Sequence, residues 1–153
     1  MIRLLDWAGQ PDIRPIDIGL YVLHNDYMIF VERVETRERF AIRVPEGFQL
    51  DGASIPRLLW TITGITPDGL IRAGALVHDW LYAQKGFCIG QVGEAFLFSR
   101  DEADQIFLLL MKEAGVGRVK RKLAWVGVRA FGWMFWGRRG ATVCAVRPKY
   151  VVR

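Results

Sequence analysis

Acidic residues are missing from the last 39 positions of this chain: all 16 Asp and Glu fall at or before Glu113. Eleven of the 21 Lys and Arg share that first part, so residues 1–114 carry 11 − 16 = −5 and the remainder carries +10. Such polarity predicts a basic face that meets something anionic: phospholipid, nucleic acid or an acidic neighbouring subunit. The plainer reading is a solvated basic surface. Cysteine is scarce too. Cys88 and Cys144 stand without paired spacing, which excludes a disulfide framework or a cysteine zinc site, and both read as reduced thiols. Although 52% of the residues are hydrophobic, no run of about 20 uncharged apolar residues exists to span a bilayer. The opening "MIRLLDWAGQPD" has an acid at position 6 and no long apolar stretch, so it does not read as a signal peptide. Synthesis for the cytoplasm is expected.

No internal repeat or low-complexity linker divides the chain, and one α+β domain over 1–153 is expected. Its parts are a β-rich segment (1–60), a helical segment (66–136) and a tail or edge strand (137–153). An N-terminal β-hairpin or small antiparallel sheet should pack against a bundle of about three helices. "YMIFVERVE" and "RFAIRVP", joined by a polar turn, predict a hairpin over residues 27–44. "PEGFQLDGASIP" reads as a Gly- and Pro-rich loop around a short extended piece, Phe48 to Asp51. Pro56 suits the first position of a helical turn through Trp60.

Asp68 is a candidate N-cap for a helix to about Lys85, which Gly86 ends in the left-handed conformation. Leu70, Ala73, Val77 and Leu81 form one stripe of that helix, and Gly74, His78 and Tyr82 form the next. "SRDE" at 99–102 has the capping-box spacing and opens a second helix through about Ala114. Between them, "FCIGQVGEAFLF" predicts a small hairpin. A third helix is expected over Arg118 to Trp136. Apolar residues surround it nearly everywhere, so it should be enclosed by the domain's core, by a partner, or by a membrane interface. Its candidate contact residues are Arg118, Lys120, Arg121, Lys122, Trp125, Trp133 and Trp136.

His78 and Asp79 stand side by side in "GALVHDWLY". An imidazole titrates near neutral pH and can act as a general base if a carboxylate orients it. Asp79 points about 100° away around the helix, so the orienting acid should come from another element, and Asp104 is the candidate. Tyr82, on the histidine's own face, can donate its hydroxyl to Asp104. Asp79 is then available to ligate a hard cation together with loop carbonyls. The alternative is a buried polar network that merely joins two helices. Asp51, Ser54 and Arg57 are expected near the His78 end of the helix, or else Asp51 braces its own loop.

The series "VPEGFQLDGASIPRLLW", "AGALVHDWLY", "SRDEADQIFLLLMKEAGV" and "VRAFGW", spanning about 44–136, resembles a family of unknown function common in tailed phages and prophages. That resemblance implies a phage-encoded protein. "HDWLY" followed by "ADQIF" is also similar to the two-helix active site of calcium-dependent phospholipases that hydrolyse the sn-2 ester, including the domain in parvovirus capsids. This second likeness implies His78 as the water-activating base, Asp79 as a calcium ligand, and Tyr82 and Asp104 as holders of the histidine. The calcium loop and flanking cysteines of that family are absent, so Leu50 to Ser54, with Asp51 as an added ligand, or Gly64 to Gly69 would have to replace the loop.

Two functional expectations follow. The first is a virion- or tail-associated structural protein, made in the host cytoplasm, that docks on virion subunits or on itself through its basic, Trp-rich C-terminal region. The alternative is a small calcium-type hydrolase of a lipid or cell-envelope ester, with the same region as its anchor on an anionic membrane. Nucleic acid ranks third among partners.

Overall fold

The computed structural model describes residues 1–17, 20–51, 69–90 and 93–137, and these form an α+β fold. β1 (Ile2–Trp7), β4 (Tyr27–Arg33) and β5 (Arg39–Val44) make one antiparallel sheet in the order β1-β4-β5. β2 (Ile13–Asp17), β3 (Leu20–Leu23) and β6 (Gln49–Asp51) make a second, ordered β2-β3-β6, and β7 (Phe87–Ile89) pairs with β8 (Ala95–Leu97). Three helices follow the larger strands: α1 (Arg72–Ala83), α2 (Arg100–Glu113) and α3 (Arg118–Phe131), the last running into a 3-10 turn at Gly132–Met134.

The predicted hairpin is present because alternate residues along it share one apolar face. Tyr27 opposes Val44 and Ile29 opposes Ile42, and all four side chains are buried. Ile29, Ile42 and Val44 each contribute about 1.5–3 kcal/mol by leaving water. Arg33, at the end of β4, then reaches α2. Its Nε donates to Glu102 Oε1 at 2.7 Å and its Nη2 to the Leu97 carbonyl at 2.6 Å, while the guanidinium lies 4.8 Å from the Phe40 ring centroid. The same Glu102 completes the expected capping box with Ser99. A strand and a helix start are thus joined through one carboxylate.

α1 is the centre of the molecule, with every residue from Ala73 to Tyr82 buried. Leu70, placed in its apolar stripe by spacing, instead precedes the helix and is exposed. The candidate cap Asp68 lies outside the described residues, as do the Pro56–Trp60 turn and the tail beyond Gly137. Capping comes instead from Gln10, whose Oε1 accepts from the Ala73 N–H at 3.1 Å and whose Nε2 donates to the Leu70 carbonyl at 2.8 Å. At the other end Gly86 has the expected positive φ of 79° and donates its N–H to the Leu81 carbonyl at 2.7 Å. This i−5 bond closes the helix in a Schellman-type turn.

The third helix differs from expectation in length and in environment. It stops at Phe131, and only Ala124, Gly127 and Val128 along it are buried. Val119, Leu123, Val126, Phe131 and Trp133 are exposed. The domain's own core does not enclose it, because Ala124 and Val128 alone face Phe107, Met111 and Val116, leaving the opposite apolar stripe outward. Among the described residues no helix is long and apolar enough to cross a membrane.

Candidate functional site

Three helices meet at one buried carboxylate. Asp104, in the first turns of α2, has no solvent exposure. Its Oδ1 lies 3.0 Å from His78 Nε2 and accepts the Tyr82 hydroxyl at 2.7 Å. Its Oδ2 accepts from Arg129 Nη1 of α3 at 3.2 Å. His78 and Tyr82 reach the same oxygen because residues one turn apart share a helix face. Contacts run in opposite senses along the two helices, Gly74 against Phe107 and His78 against Asp104, so α1 and α2 are antiparallel.

The ring's tautomer follows from its partner. An ionised carboxylate only accepts hydrogen bonds, so Nε2 carries the proton and Nδ1 holds the lone pair in neutral His78. Nδ1 has no hydrogen-bond partner among the described residues, and the nearest acid, Asp79 Oδ1, is 3.8 Å away. His78 is 1% exposed, with its ring 4.0 Å from that of Tyr82 and 5.0 Å from that of Phe107 between centroids.

Electrostatics set the charge state of the group. Burial disfavours imidazolium, but the hydrogen bond to Asp104 and the nearby Asp79 carboxylate outweigh it and raise the His78 pKa above its ordinary value. Burial likewise disfavours the Asp104 carboxylate, yet His78, Tyr82 and Arg129 hold its pKa below the usual range. Tyr82 is pushed up, first by burial and then by its bond to the same carboxylate.

The 3-10 turn closes the cluster from behind. Trp136 stands edge-on to the Tyr82 ring at 4.9 Å, and a Cβ on Gly132 would collide with the Tyr82 hydroxyl. Arg129 also pairs with Asp101 at 3.0 Å. Sequence reasoning counted Arg129 only in the basic face. A signal was available: it is the lone charge between Leu123 and Trp136, and a charge in an apolar helical stretch needs a partner.

The other expected site residues divide. Asp79 is buried beside His78. Asp51 ends β6 opposite Leu20, while its side chain, with Ser54 and Arg57, lies outside the described residues. Among the described residues no three His, Cys, Asp or Glu side chains converge as a metal's ligand set. Arg118, Lys120 and Lys122 are exposed, whereas Arg121 donates to the Val116 carbonyl at 3.2 Å. The tryptophans split as well. Trp133 is exposed, Trp136 packs on Tyr82, and the buried Trp125 Nε1 has no partner among the described residues.

Residues 28–128 match a family described as "Protein of unknown function (DUF1353)". No curated protein and no solved structure matches the chain.

Proposed function

From the premise that the chain belongs to the DUF1353 family, we propose that it is a small phage-encoded hydrolase of a lipid or cell-envelope ester, with His78 as general base. The observation that carries this reading is the asymmetry of the ring: Nε2 is fixed on Asp104 while Nδ1 has no hydrogen-bond partner among the described residues. In the proposed step Nδ1 takes a proton from water as the water oxygen attacks the ester carbonyl. The imidazolium that forms is stabilised by Asp104 and Asp79, and it returns the proton to the departing alkoxide. Tyr82 and Arg129 are positioning residues that hold Asp104. Asp79, with Asp51 as an added candidate, would be the carboxylate that holds a calcium ion under this reading.

A second reading keeps the virion- or tail-associated structural protein, assembled with other subunits after synthesis in the host cytoplasm. It is favoured by the near-complete burial of His78, Asp104 and Tyr82. There the cluster only ties the helices together.

Ester hydrolysis by wild type and His78→Ala, with and without calcium, separates the two. A general base contributes roughly 10²- to 10⁴-fold, so the hydrolase reading expects a rate loss of that size in a variant that still folds. No turnover by wild type on either soluble or phospholipid esters sinks the enzyme. Incorporation of His78→Ala into virions at wild-type level would then support assembly.

A further inference from the structure

We infer that the outward face of α3 docks on an anionic phospholipid surface. Val119, Leu123, Val126 and Ala130 recur at i, i+4, i+7 and i+11, the repeat of a single helix face. All four are exposed, with Val119 at 73% and Val126 at 48%, and Trp133, beyond the helix end, is 67% exposed. The buried face of the same helix, at Ala124 and Val128, is a different one. So α3 has two apolar faces and the fold uses one. Arg118 and Lys122 flank the exposed stripe on one side and Lys120 on the other, all three exposed. An apolar stripe with basic flanks and a neighbouring Trp is the pattern of a helix lying in the membrane interface.

Charge selects this occupant over the others. A second copy related by a two-fold axis through this face would bring the same basic flanks against one another. The chain's own tail, "RRGATVCAVRPKYVVR", carries five basic residues and no acid, so it cannot neutralise them either. Nucleic acid would satisfy the flanks and leave the stripe between them without an apolar partner. Anionic lipid supplies both an acyl region and phosphates.

The inference goes beyond the hydrolase reading and needs no turnover. The test is co-sedimentation of the full chain with phosphatidylglycerol-containing vesicles and with pure phosphatidylcholine vesicles, at low and high salt. Binding is expected on the anionic vesicles, weakening steeply with salt. Lys120→Gln and Lys122→Gln should each weaken it about five-fold. The double substitution Leu123→Glu/Val126→Glu should reduce it at least ten-fold while circular dichroism stays unchanged, since both side chains point away from the core. Absence of wild-type binding, equal binding to neutral vesicles, or indifference to the double substitution overturns the proposal. So does a lipid-free dimer that the double substitution dissolves, which assigns the face to a second copy.

Discussion

A carboxylate without solvent exposure has to be held charged by its neighbours, and Asp104 is held by three: His78, Tyr82 and Arg129. Removing one of the three leaves the carboxylate short of one hydrogen bond in a dry site, at a cost of about 1.5–3 kcal/mol. The pH dependence follows from the directions of the shifts. His78 is raised, so its contribution to stability is fully present below its unfolded value of about 6.5 and is lost as pH rises through the higher folded value. Asp104 is lowered, so its contribution is present above about 3.9 and is lost as pH falls through the lower folded value. The melting-temperature gap between wild type and His78→Gln should therefore be widest near pH 5–6 and shrink toward pH 9. A gap that widens over that range would mean the fold prefers the neutral ring.

Among the elements, α1 depends most on how it ends. Gly86 has a positive φ, and a Cβ there would collide with the Phe98 carbonyl, whose own N–H bonds back to the Gly86 carbonyl at 2.9 Å. Gly86→Ala should cost about 2 kcal/mol or more, read as a fall in the urea midpoint; a change below about 0.5 kcal/mol, the ordinary surface effect, would refute this account. That glycine was legible in the sequence, as were the β4–β5 hairpin, the capping box and the β7–β8 excursion. Each is written in neighbouring residues. Pairing of β1 with β4 was not, because a bulge between Leu4 and Asp6 breaks its alternation and its partner lies far along the chain. Nor was the Gln10 cap, which reaches Leu70 across 60 residues. The His78–Tyr82–Asp104 cluster was readable, since i, i+4 spacing places two members and a capping box fixes the helix of the third. Arg129 joins it only through tertiary packing, and the one-sided burial of α3 depends on the same packing.

At the scale of the whole molecule, the helices are not equally secured. α1 and α2 share the larger apolar core with β4 and β5, whereas α3 is held by the smaller cluster around Ala124 and Val128, by Arg129, and by the turn that seats Gly132 and Trp136 on Tyr82. Units that bury less apolar surface open at lower free energy. Amide exchange in α3 should accordingly be faster than in α1, and the difference should grow in Arg129→Met. That substitution keeps an unbranched side chain against Trp125 but leaves Asp104 Oδ2 without its α3 partner. Loss of a hydrogen bond to a buried charge costs about 1.5–3 kcal/mol, equivalent to a roughly 10- to 150-fold rise in opening at 1.4 kcal/mol per decade. Protection in the middle of α1 should change much less, because His78 and Tyr82 still bond to Asp104 and the larger core is untouched. If α1 and α3 lose protection equally in Arg129→Met, the two helices open as one unit and Arg129 is not the tie that docks α3 on the His78–Asp104 site.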